Sequence, residues 1–321
     1  MSSILPLASV SVVNGIVPPL VVLLWWIPYH ARAQTLAGEG RPVPSWRQAC
    51  YVAGLLVLAV ALSAPVDNLA DQLLMAHMAE HLLIGDVAAL LLVLGLTGPL
   101  LAPALRIPVI ARLRFLTHPV VAVTVWAVNF YLWHLPVLYQ AALRHDWLHG
   151  FQHATFLIFG FTMWMALLGP LPKPSWFNNA WQLVYIIVVR LIGTVLGNVL
   201  VFGGTVFYPY YRPGDAHWHI SPLADQIAAG SLMMIEESLL TIGLFCWLFL
   251  KVARQAEERQ QLLDYAALHD IALDEQRAAR AVAAGRAPEL WDRLRQRLGD
   301  EPDHPGDSVS NGAPPARSGT T

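Results

Sequence analysis

Residues 73–101 read LLMAHMAEHLLIGDVAALLLVLGLTGPLL, a run in which only Glu80 and Asp86 carry formal charge. Crossing about 30 Å of hydrocarbon at 1.5 Å per residue takes roughly 20 mostly apolar residues in a helix. This run meets that requirement, and it opens with two histidines, His77 and His81. The same test finds further candidate spans over Leu7–Tyr29, Ala49–Ala64, Val120–Leu143, Phe151–Leu168, Trp181–Phe202 and Ala228–Leu250. The second of these is short and bounded by Pro65. Composition agrees. Of 321 residues 56% are apolar and 13% charged, against about 25% charged in soluble domains. The expected fold is therefore an all-α polytopic membrane protein, a bundle of about seven transmembrane helices.

Most of the charge lies beyond Lys251, which divides the chain into a transmembrane domain over 1–250 and a tail. Residues 251–298 are rich in Ala, Arg, Glu, Gln and Leu and are expected to be a cytoplasmic helical tail. Residues 299–321, with Pro302, Pro305, Pro314 and Pro315 among Gly and Ser, read as a disordered C-terminus. The Ala31-Arg32-Ala33 triplet resembles a leader cleavage site, but no basic residue precedes the apolar stretch, so the first helix is expected to be retained. Net charge is −2, which argues against a nucleic-acid partner. Two cysteines, Cys50 and Cys246, are too few for a disulfide framework or a thiolate metal cage.

Loop charge sets the orientation. Arg32, Arg41 and Arg47 follow the first span, and Arg106, Arg112 and Arg114 follow the third. Lys173 follows the fifth, and Lys251, Arg254 and Arg259 follow the seventh. The intervening loops hold Asp67 and Asp71, Arg144 alone, and Arg212 alone. That alternation predicts the N-terminus outside and the C-terminus in the cytoplasm.

On this topology most histidines fall on the outer side: His77, His81, His134, His145, His149, His153, His217 and His219. A single interfacial histidine is ordinarily a polar tip facing headgroups. Two pairs at i,i+4, His77/His81 and His149/His153, each project from one helix face and read instead as ligands of a shared ion. His134, at the same depth, is the fifth candidate ligand. Imidazole suits copper and zinc, and thioethers at Met75 and Met78 would favour Cu(I). Asp86 and Asp225 are candidates to orient the imidazoles from behind. Residues 77–81 also match H-x-x-E-H, in which two histidines hold zinc and the glutamate is a general base. Deeper in the bundle, Arg190 on the sixth span and Glu236 and Glu237 on the seventh are expected to form a buried ion pair, structural or part of an ion path. Gly193 and Gly197 make a small-xxx-small face for close helix packing.

Over residues 65–250 the chain resembles the CtaG-like (caa3-type) cytochrome c oxidase assembly proteins of bacteria. The resemblance rests on His77-Met78-Ala79-Glu80-His81-Leu82-Leu83, on Trp133-His134-Leu135-Pro136 with Tyr139, on His149-x3-His153, and on Asp225-Gln226. Glu80 stands where Gln is frequent, and Glu236-Glu237 lies in a stretch commonly apolar. The resemblance implies a seven-helix protein of the bacterial cytoplasmic membrane, without enzymatic activity, that helps build a haem–copper oxidase. Its partners would be membrane lipids and oxidase subunits or other assembly factors, and its cargo copper at the outer face. The competing readings are an ion or metal transporter built on Arg190, Glu236 and Glu237, the zinc protease of His77-x-x-Glu80-His81, and a haem-binding cytochrome.

Overall fold

The computed structural model describes the backbone of residues 7–298 and the side chains of residues 18–297. The expected disordered segment 299–321 and the side chains of the first expected span up to Val17 lie outside the described residues. The described residues are helical, without a strand. Two compact units divide between Phe245 and Cys246.

The first unit opens with α1 (Leu7–Gly38) and α2 (Ser45–Ala61), followed after a 53° bend by the short α3 (Ala64–Ala70). Pro65 sits in the first turn of α3, where its missing N–H costs nothing, and it cannot extend α2. Next comes α4 (Leu74–Gly95), 22 residues long, with a π-helical stretch over Leu83–Ala88. The run expected to reach Leu101 stops at Gly95, because Leu96 and Thr97 are extended.

The fourth expected span differs more. Helix α5 (Pro119–Trp133) ends before Leu135, whose extended backbone is what a residue preceding Pro136 adopts. The chain resumes as the separate α6 (Pro136–Ala142). At 15 residues α5 is about 22 Å long and reaches span length only together with Pro108–Thr117, across an 83° bend.

Three further helices complete the unit: α7 (Asp146–Leu168), α8 (Asn179–Phe202) and α10 (Pro222–Leu268), with the short α9 (Arg212–His217) between the last two. Asn178 caps α8 by accepting from the Ala180 and Trp181 amides at 3.0 and 3.2 Å. Among the described residues four helices, α4, α7, α8 and α10, are each long and apolar enough to cross a membrane, rising to six if each bent pair is one span. Their outward faces are apolar. On α8, Val184, Ile187, Leu191, Val195 and Val199 recur every three to four residues and are all exposed, while Tyr185, Gly193, Leu196 and Leu200 point inward and are buried. A stripe of bare branched aliphatics along a whole helix belongs against lipid, and the protein is a membrane protein.

Two glycine crossings set the spacing that matters for the site. A methyl group on Gly160 of α7 would overlap the Gly85 carbonyl of α4, so these helices touch backbone to backbone. Likewise a methyl on Gly197 of α8 would lie 2.7 Å from Met234 Cγ of α10, and one on Gly193 would run into the Glu237 carboxylate.

In the second unit, the part of α10 up to Leu268 is followed by α11 (Glu275–Ala283) and α12 (Ala287–Leu298). Leu262, Val282, Leu290 and Leu294 form its core, with Tyr265 edge-on to Trp291 at 5.0 Å.

Candidate metal centre

His77 and His81 leave one face of the first turns of α4, and their rings lie edge to face at 4.3 Å. His149 and His153 do the same on α7, 4.2 Å apart. The Gly85–Gly160 crossing lies one turn below His81 and two turns below His153, and so draws the two pairs together. The His77 and His149 rings stack at 5.1 Å, and His81 meets His153 at 5.2 Å. Ligand atoms of His77, His81 and His149 all lie within 4.8 Å of one another, as do those of Glu80, His149 and His153.

The environment is buried, and polar atoms in it lack partners in the protein. His77 and Glu80 are fully buried, and His81 is nearly so. Both nitrogens of His81, both oxygens of Glu80, and Nε2 of His149 and of His153 form no hydrogen bond. Those of His77 form none either, although the Ala70 backbone is near. The one charged approach is Glu80 Oε2 to His153 Nε2 at 3.8 Å, too long for a hydrogen bond. Buried polar atoms left open in such number on one surface have the donor set of a metal site. Nitrogens bound to zinc at about 2.0–2.1 Å stand roughly 3–4 Å apart, so a span of 4.8 Å closes with small side-chain adjustments.

His134 does not join either group. It caps the C-terminus of α5, where Nδ1–H donates to the Phe130 carbonyl at 2.7 Å and Nε2 has no partner. It lies beyond Tyr139, whose ring is 6.2 Å from His134 and 5.2 Å from His77. His145 is exposed at the residue before α7. Of the thioethers, Met78 is part of the apolar core with Phe130 and Trp133, and Met75 is 38% exposed.

The two aspartates expected behind the imidazoles part company. Asp86 is five residues past His81, about 140° round a regular helix and some 7 Å deeper. It lines instead a cavity with Arg190, Glu236 and Glu237, walled by Trp126, Met163 and Met233. Arg190 Nη1 pairs with Glu237 Oε2 at 2.5 Å, and Nη2 donates to Ser238 Oγ at 2.9 Å. Both carboxyl oxygens of Glu236 are buried without a hydrogen-bond partner. Asp225 reaches no imidazole either, but it accepts from the backbone amides of Leu74 and Met75 at 2.6 and 3.0 Å. It thus caps, from the start of α10, the helix end that carries His77. Its neighbour Gln226 accepts from the Phe207 amide at 2.8 Å and donates to the Thr205 carbonyl at 2.9 Å, pinning the loop after α8.

That loop roofs the centre. Tyr211 and Tyr139 share a hydrogen bond at 3.0 Å, and Tyr208 donates to the His134 carbonyl at 2.7 Å. On α9, Asp215 is buried and hydrogen-bonded to Asp225; burial and then the Asp225 charge push its pKa up to about 6. At the rim, Asp71 has its pKa raised to about 6 by desolvation and by the charges of Asp67 and Asp146. The sequence reading treated Glu80 only as a possible base and passed over Tyr208, Tyr211 and Asp215. The Tyr208-Pro209-Tyr210-Tyr211 cluster in an outer loop was the available signal for the roof.

The family model described as cytochrome c oxidase caa3 assembly factor (Caa3_CtaG) matches residues 21–255. No curated protein matches the chain, and no solved structure does.

Proposed function

Since the chain belongs to the caa3 cytochrome c oxidase assembly factor family, we propose that it serves oxidase assembly by holding a copper ion on His77, His81 and His149. The observation that carries this reading is the convergence of three imidazoles from two helices, two buried and one half-buried, with ligand atoms within 4.8 Å of one another and buried nitrogens that form no hydrogen bond. Uncharged imidazole nitrogens suit copper, with zinc the nearest competitor. Asp67, Asp71 and Asp146 at the rim make the approach attractive to cations.

The alternation of basic loops supports seven spans, with the N-terminus outside and the C-terminus in the cytoplasm of a bacterium. The ion then sits at the outer end of α4 and α7. Oxidase subunits or other assembly factors would receive it there, and no chemical step is required of the protein. Residues 251–298 form the cytoplasmic tail in this reading.

The test is Cu(I) titration of the purified full chain in detergent under anaerobic conditions, followed by oxidase maturation in cells. Wild-type protein should bind one Cu(I). The double change His77→Ala, His81→Ala should abolish binding and maturation with protein level unchanged. Maturation that survives in cells expressing a non-binding variant overturns the copper role.

One observation favours a second reading. His149 provides the third ligand that H-x-x-E-H alone lacks, with Glu80 buried beside it. Under the protease reading Glu80→Gln abolishes peptide cleavage while zinc stays bound.

A further inference from the structure

The two ligand groups overlap in a single residue. His149 belongs to both, completed in one by His77 and His81 and in the other by Glu80 and His153. We propose that the centre has two mutually exclusive metal positions sharing His149: an all-imidazole position, His77–His81–His149, for a monovalent soft ion, and a carboxylate position, Glu80–His149–His153, for a divalent ion. This rests on the reading that His77, His81 and His149 hold Cu(I).

Charge separates the positions. Three neutral imidazoles add nothing to the charge of an ion, so Cu(I) there leaves +1 and a divalent ion +2. The Glu80 carboxylate subtracts one, so a divalent ion in its position also leaves +1. In surroundings where His77 and Glu80 have no exposure, a divalent ion strongly prefers the carboxylate position, and softness, not charge, places Cu(I) on the set without a hard oxygen donor. Ligand chemistry points the same way, because two imidazoles and one carboxylate form a donor set typical of divalent ions.

The burial of Glu80 gives this position its reason. Its side chain is 1% exposed, both oxygens lack a hydrogen bond, and the nearest ionisable partner is the His153 imidazole at 3.8 Å. The other charged groups acting on it are Asp67 and Asp71, which repel. A carboxylate placed there without a cation costs several kcal/mol, and a divalent ion supplies that cation.

Exclusivity follows from the shared ring. The buried Nε2 of His149 forms no hydrogen bond, and one imidazole nitrogen serves one ion at a time. A second cation would also sit against the first at close range in a buried site. His149 is the least buried of the five, so it is the residue by which an ion enters and the pivot on which it passes between positions.

The experiment uses the full chain in detergent with Cu(I) under anaerobic conditions and with Zn(II), each alone and in competition. The expected result is one ion per chain in total, with each metal displacing the other. Glu80→Gln should weaken Zn(II) by about tenfold or more and leave Cu(I) within about threefold. His77→Asn should do the reverse. Two ions bound at once overturn the proposal, as do variants that weaken both metals in parallel. If either variant fails to fold, His153→Asn decides instead: it should weaken Zn(II) and spare Cu(I), and equal weakening of both overturns the proposal. Loss of Cu(I) binding in wild type with Zn(II) retained refutes the copper reading instead.

Discussion

Replacing Asp225 by Ala tests how the candidate metal centre is held. Asp225 is 3% exposed and accepts from two amides at the start of α4, Leu74 at 2.6 Å and Met75 at 3.0 Å. Hydrogen bonds to a charged group contribute about 1.5–3 kcal/mol each. The negative charge at a helix N-terminus adds about 0.3–1 kcal/mol. Relief of the Asp215–Asp225 repulsion offsets part of this sum. A net loss of about 3–5 kcal/mol is expected, a large share of the roughly 5–15 kcal/mol that stabilises an ordinary domain. The loss is local before it is global, because His77 lies in the turn that frays, its own amide bonded to the Leu73 carbonyl at 3.1 Å. Hydrogen exchange over residues 74–82, measured by mass spectrometry in detergent, should therefore quicken in Asp225→Ala while the middle of α8 is unchanged. Metal affinity should fall with it. Asp225→Asn, which keeps one acceptor oxygen, should lie between. Unaltered exchange at 74–78, or a stability change below about 0.5 kcal/mol, would refute the capping argument.

Three other outcomes follow. Arg190→Leu strands Glu237 beside Glu236 and Asp86 and should cost about 3–5 kcal/mol; adding Glu237→Gln should restore part of it, and additive losses would show that the 2.5 Å pair is not what holds Arg190. Gly160→Ala forces α7 off the Gly85 carbonyl and should cost about 1–3 kcal/mol and weaken metal binding, whereas Gly243→Ala, with open space around it, should be neutral or stabilising. Asp215 has its pKa raised to about 6, so the folded state holds a proton that the unfolded chain has released; stability should fall as pH rises from about 4 through 6 and level off above, and Asp215→Asn should remove that slope in pH-dependent unfolding curves.

What the sequence makes legible is what a single helix decides. His77/His81 and His149/His153 are each one turn apart, so each pair shares a face whatever surrounds it. That the two faces meet is decided elsewhere, by Gly85 and Gly160, and neither glycine advertises its partner. The break after Trp133 was readable from Pro136, and treating Val120–Leu143 as one span passed over it. His134 consequently ends as a helix cap, its Nδ1 engaged by the Phe130 carbonyl, rather than as a ligand on a continuing helix. Asp86 fails as an orienting partner for a reason of geometry, since five residues carry it round the helix and down to the Arg190 cavity. Asp225 acts on a helix 150 positions away, a distance at which sequence spacing says nothing. Glu80 is the instructive case. One residue short of His81, it points about 100° away on a helix, so it was readable as a base behind a zinc ion but not as a ligand. Only when α7 packs alongside does that direction meet His153 and His149, whose ligand atoms lie within 4.8 Å of its own.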